Sequence, residues 1–129
     1  MKPLTSLKTV LFTLSFLFIQ TMMNAQQSLT GNIAAITTIT PKKGYEKDIM
    51  EAAQYIQKQA STEDGCMLFS VNTQKDAPQT VVMFEIFKDQ DALDHHKKQP
   101  HTLHFADLLK GKFDKNDVVF LNNTKTLHH

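Results

Sequence analysis

The chain has 129 residues, 14 Lys and Arg against 13 Asp and Glu, a single cysteine and no tryptophan. All 14 of the basic residues are lysine, and a near-neutral chain without arginine lacks the preferred bidentate reader of phosphates and base edges, which argues against nucleic-acid binding. One cysteine, Cys66, excludes an intramolecular disulfide and suits a small apolar residue placed inside the domain.

Lys2 and Lys8 form a basic start, Val10 to Ile19 is an apolar core of signal-peptide length, and a more polar exit ends at Asn24-Ala25. Residues 1–25 therefore read as a secretory signal cleaved after Ala25, which places the mature chain in the periplasm or outside the cell. The competing reading is an uncleaved anchor, for which the apolar core is short. Cleavage would leave residues 26–129, a single domain of 104 residues with 12 Lys (14 less Lys2 and Lys8) against 13 acidic groups. No membrane association is expected after cleavage.

Asn32 to Thr40 is rich in Ile and Thr and predicts a strand, ended by Pro41. Gly44 to Ser61 places Tyr45, Ile49, Ala52, Ala53, Ile56 and Ala60 at helical spacing. After a turn at Thr62 to Gly65, Cys66 to Thr73 alternates, with Met67, Phe69 and Val71 on one side. Lys75 to Pro78 predicts a hairpin turn, and Thr80 to Phe87 is the most strand-like run of the chain. Asp89 suits the N-cap of a helix through Lys98. Pro100 can start a further short helix ended by Gly111, and Asp117 to Asn122 predicts a last strand. The order β-α-β-β-α-β is the ferredoxin-like α+β arrangement. Its helices cover one face of the sheet, and the apolar residues on both sides of Val81 to Phe87 suggest that a second copy covers the other.

Glu85 shares a strand face with Val81, Met83 and Phe87, where burial would raise its pKa and suit it to proton transfer. The plainer reading is a carboxylate satisfied by a lysine or a backbone N–H at a sheet edge. His96 follows Ala92 and Leu93 by four and three residues, which turns it toward the core, whereas His95 points to solvent. A core-facing histidine is most often structural, and near a carboxylate it is also a proton shuttle. His101 and His104 stand at i, i+3 on the next helix. Four imidazoles in ten residues make a metal site conceivable, but no carboxylate in the pattern completes a metal triad, so none is assigned. Cys66 lacks any activating neighbour in sequence.

Three segments resemble the antibiotic biosynthesis monooxygenase family, the group that includes quinol monooxygenases. Pro41-Lys42-Lys43-Gly44-Tyr45-Glu46 is similar to its proline-glycine turn into the first helix. Glu63-Asp64-Gly65-Cys66-Met67-Leu68-Phe69 is similar to its turn into the second strand. Phe84 to Asp89, with Ala92-Leu93, His96 and Pro100-His101, is similar to its most specific block. The resemblance covers Ile33 to Asn122. It implies a dimeric α+β barrel whose sheets join back to back, each subunit keeping a pocket between sheet and helices. It also implies oxidation of a quinol-like or phenolic small aromatic substrate by O2, with no metal, flavin or other cofactor. Carried onto this chain, Glu85, His96 and His101 are the catalytic candidates, and Met83, Phe87, Leu93 and Phe105 the candidate pocket lining. The family's haem-degrading members carry a tryptophan where Phe87 stands and an asparagine within the first strand, and both departures argue against haem breakdown. The alternatives are a non-catalytic binding protein and an isomerase on the same scaffold.

Overall fold

A computed structural model describes residues 32–122; the proposed signal segment lies outside them. Four strands, β1 (Ile33–Pro41), β2 (Cys66–Gln74), β3 (Ala77–Phe87) and β4 (Phe113–Asn122), and three helices, α1 (Glu46–Ala60), α2 (Gln90–Lys98) and α3 (Pro100–Leu109), follow in the order β-α-β-β-α-α-β. The sheet is antiparallel with strand order β2-β3-β1-β4. This is the ferredoxin-like arrangement expected, with the second helical segment split in two at Pro100.

The period-two pattern of β3 fixes which side of the sheet is inside. Val81, Met83, Glu85 and Phe87 are all buried and face the helices. On β1 the same face carries Ala35, Thr37 and Ile39. The amphipathic α1 lays Ile49, Ala52, Ala53, Ile56 and Ala60 against these residues, and together with Phe69 and Leu109 they form the core. Gly44, at φ +92°, supplies the left-handed residue that the tight turn into α1 needs. Asp89 caps α2 by accepting a hydrogen bond from the Ala92 N–H at 2.8 Å.

Two boundaries differ from the sequence expectation by three residues or more. The β2–β3 connection is tighter than Lys75 to Pro78: β3 already starts at Ala77. Pro78 is accommodated because the register is irregular there, passing from Gln74 opposite Ala77 to Thr73 opposite Val81, so the missing N–H is not needed for a regular ladder. The last strand begins at Phe113 rather than Asp117. Its polar first half, Asp114 to Asn116, gives no apolar signal because β4 is an edge strand, where charged side chains reach water while the backbone pairs with β1.

The other sheet face carries Leu68, Ile36, Phe84, Val119 and Leu121, of which Leu68, Val119 and Leu121 are largely exposed. Among the described residues no helix is long and apolar enough to cross a membrane.

Candidate active site

The turn between α1 and β2 meets α2 and the start of α3, segments about 30 residues further along the chain. The turn after α1 is pressed onto the helix so closely that a Cβ at Gly65 would lie 2.4 Å from Ala92 Cβ. The Lys88 N–H donates to the Gly65 carbonyl at 2.9 Å and ties the same turn to the end of β3. One helical turn beyond Ala92 stands His96, and two residues before Gly65 stands Glu63. Their side chains meet: Nδ1 of His96 donates to Oε1 of Glu63 at 2.8 Å. The same oxygen accepts from Nε2 of His101 at 2.7 Å.

His96 and His101 are five residues apart, and on one continuous helix they would point about 140° from each other. The break at Gln99-Pro100 between α2 and α3 redirects the second ring. All three side chains are largely out of water, at 8% exposure for Glu63, 7% for His96 and 17% for His101. The contact to a carboxylate assigns the Nδ1–H tautomer to a neutral His96, with Nε2 on the far side of the ring. Phe87 packs on that ring at a centroid distance of 4.9 Å and holds its orientation.

His96 also borders a cavity of about 540 Å3, within the range of small-molecule sites. The cavity lies between the helix-facing side of the sheet and α2 and α3. Its wall is mostly apolar, with Phe69, Met83, Leu93, Phe105, Leu109, Phe113, Val118 and Phe120, and its polar groups include Thr37, Glu85, His96 and Thr102. Val118 and Phe120 are about half exposed at the β4 side, and Lys97 places its ammonium 4.7 Å from the Phe120 ring centre.

Glu85 sits on an interior strand opposite Ala35 on β1 and Phe69 on β2, without the lysine or sheet edge of the plainer reading. Burial, aided by the negative charge of Glu63, pushes its pKa up to about 7, while a hydrogen bond from Thr37 opposes the rise. At neutral pH it is therefore divided between acid and base, the condition for moving protons in either direction. Burial, with the charges of Glu63 and Glu85, pushes the Cys66 thiol up to about 11, which leaves it an unreactive thiol at neutral pH.

The sequence candidates thus fall into two groups. Glu85 and His96 share the cavity, with Met83, Leu93 and Phe105 in its wall. His101 does not border the cavity; it bonds to the same Glu63 oxygen as His96. Phe87 does not line it either, because it is fully buried under the His96 ring. His95 is exposed and bonded to Gln99, and His104 packs edge-on against Tyr55 at 5.3 Å, so neither joins the cluster. Glu63 is the residue missed as a site member. It supplies the carboxylate that the local sequence pattern lacked, and the three groups together are a set able to ligate a metal ion. The signal that could have found it was the recurrence of Glu63 and Gly65 in one resembling segment and Ala92 and His96 in another, which here are in contact.

A ferredoxin-like α+β domain with a mostly apolar cavity between sheet and helices defines the class. The chain matches the antibiotic biosynthesis monooxygenase family over residues 32–108 and belongs to it. No curated protein matches the chain. Among solved structures, one from Nitrosomonas europaea, provisionally assigned as an antibiotic biosynthesis monooxygenase, superposes with a TM-score of 0.68 at 21% identity, covering 72% of this chain and 90% of its own. A conserved protein from Methanosarcina mazei gives 0.70 at 21% identity, covering 74% and 96%. A protein from Pseudomonas aeruginosa gives 0.69 at 19% identity, covering 78% and 98%. At these identities the likeness is one of fold.

Proposed function

We propose that this protein is a cofactor-independent monooxygenase that oxidises a quinol-like or phenolic small molecule with O2. The observation that supports it best is His96, oriented by the buried Glu63 and bordering an apolar cavity that also holds Glu85. In this reading Nε2 of His96 removes a proton from the substrate, and Glu63 stabilises the imidazolium that results. The electron-rich anion then reduces O2 and joins it as a carbon-bound peroxide. Loss of a second proton from that carbon breaks the O–O bond: one oxygen stays as a carbonyl and the other leaves as hydroxide, protonated to water by Glu85 or His96. The substrate loses two hydrogens, gains one oxygen and releases one water per O2. The mostly apolar wall limits reprotonation of the anion.

The test is O2 uptake with a panel of dihydroxynaphthalene-type quinols. Protein-dependent uptake with product heavier by one oxygen and lighter by two hydrogens is expected, and no uptake across the panel counts against the reading. The same acid–base pair would serve an isomerase, and turnover under anaerobic conditions would favour that second reading. A ligand that binds and is recovered unchanged in air would favour a binding protein.

The same reading includes a homodimer joined through the open sheet face and a mature chain starting at Gln26 outside the cytoplasm. The apolar set Leu68, Ile36, Phe84, Val119 and Leu121 supports the first, and the basic-apolar-small pattern of residues 1–25 supports the second. Intact-mass measurement on the exported protein and light scattering on the purified chain test them.

A further inference from the structure

We propose that Glu63, His96 and His101 also form a binding site for a divalent transition-metal ion of the zinc type, and that its occupation switches the His96 base off. Metal capture stands on geometry alone; the effect on turnover rests on the reading of His96 as the base. Three ligand atoms, Oε1 of Glu63, Nδ1 of His96 and Nε2 of His101, lie within 4.8 Å of one another. Two imidazoles and one carboxylate are the donor set that zinc-type ions prefer over calcium or magnesium, and three protein ligands leave a fourth position for water. Ligation requires the three atoms to close from this spread onto one ion at about 2.1 Å each.

The ion has its own way in. A second cleft, of about 300 Å3, is lined by Glu63, Asp64, Asp89, Asp91, Lys88 and His95. Its excess of carboxylates concentrates cations at the one side chain that belongs to both cleft and cluster, Glu63. His96 borders the other cavity, and the two linings share no residue, so Glu63 meets the acidic cleft separately from the substrate site.

Coordination has a defined consequence for the proton. A metal at Nδ1 needs the lone pair there, so the proton of neutral His96 moves to Nε2; His101 exchanges its proton from Nε2 to Nδ1 in the same way. No net proton is released from neutral rings. His96 then presents an N–H donor to the cavity in place of a base, and substrate deprotonation stops.

The experiment uses the mature chain after dialysis against a chelator. Zn2+ is titrated calorimetrically, and Co2+ provides a visible-absorption readout of tetrahedral nitrogen and oxygen ligation. One ion per chain is expected, bound at micromolar concentration or tighter, with Glu63→Gln and His101→Asn each weakening it about 10–100-fold. Circular dichroism and a melt on both variants establish that they are folded, and Glu63→Asp, which keeps the carboxylate, is the second variant if Glu63→Gln does not fold. His104→Asn and the double variant His128→Ser/His129→Ser should bind as the unmodified chain does. Failure of Zn2+ and Co2+ to bind below about 1 mM, or loss of binding only in the His104 or His128/His129 variants, overturns the site. Stoichiometric Zn2+ binding that leaves quinol turnover unchanged overturns the switch. If the metal-free protein turns over no quinol, the proposed function fails while the titration still decides the site, and protection of His96 Nε2 from alkylation then reads the tautomer exchange.

Discussion

Substituting Gly65 by alanine tests the contact that assembles the site. The glycine needs no unusual backbone, since its φ lies outside the left-handed region, so space alone is at stake. The new Cβ would meet Ala92 Cβ at 2.4 Å and Ala92 Cα at 3.3 Å. Carbon atoms rest about 3.5–4.0 Å apart, so the turn and α2 must separate by about 1 Å. Neither residue has a rotamer to yield with, and the Gly65 carbonyl is bound to Lys88, so the helix and turn move as bodies. A separation of about 1 Å takes the 2.8 Å bond between His96 and Glu63 beyond hydrogen-bond range. Overpacking of this kind costs about 1–3 kcal/mol, and the loosened bond adds to it rather than relieving it. At about 2 kcal/mol the melting temperature of a domain this size falls by about 10 °C. Turnover of any substrate that uses His96 falls by about 100-fold, the usual consequence of misplacing a reacting group by about 1 Å. The decisive arm is the double variant with Ala92→Gly, which removes the facing Cβ. That change alone costs about 1 kcal/mol of helix propensity, yet combined with Gly65→Ala it should restore the low-field Nδ1–H proton resonance of His96 and part of the stability. A coupling below about 0.5 kcal/mol in this cycle, or a Gly65→Ala protein with unchanged melt and resonance, refutes the reasoning.

Glu85→Gln should stabilise the protein at high pH. Its folded pKa of about 7 lies above the ordinary 4.5, so the folded state holds the proton more tightly and stability falls as pH rises between these values, by about 3 kcal/mol in all. Chemical denaturation at pH 4 and pH 8 checks this: the variant gains on the unmodified chain only at the higher pH, and equal gains at both would disprove the shift. Glu63→Gln keeps the shape but offers an amide to two N–H donors; it should lower turnover at least tenfold and remove the low-field His96 resonance, both read on a protein whose melt shows it folded. Phe84→Lys with Val119→Lys, on the open sheet face, should convert a dimer of at least about 1,200 Å2 of buried surface into monomers by light scattering. If the unmodified chain is already monomeric at micromolar concentration, that face has another use.

Much of the fold was legible because each element satisfies its own local rule. The helix α1 buries Ile49, Ala52, Ala53, Ile56 and Ala60 as its spacing selected, while Tyr45, also selected, falls at the N-cap and is exposed; Asp89 caps α2 as expected, and β3 buries its odd-numbered face. The misplaced boundaries are those where pairing with a neighbour outweighs side-chain pattern. Lys115 and Asn116 look like a loop in isolation and are strand because β1 offers them backbone partners, with Asp114 the extra residue where the register shifts. Pro78 looks like a turn and is strand because the ladder is irregular beside it.

The site was legible only where one element carries its residues. Glu85 was readable because period two places it with Met83 on the buried face, and His96 because period 3.6 places it with Leu93. Their chemistry is another matter, because it depends on Glu63, which lies on a turn and follows no period. Read locally, Glu63 is a charged residue between a helix and a strand, where charge is ordinary. Nothing in residues 62–65 announces that both oxygen lone pairs will be used by rings 33 and 38 positions away. What places it there is a contact made by the absence of a side chain: Gly65 lets the turn reach Ala92, and the offset of two residues on one side and four on the other brings Glu63 to His96. Pro100 then performs the same service for His101 by ending α2. A glycine and a proline, neither of them titratable, thus decide which titratable groups of this chain meet.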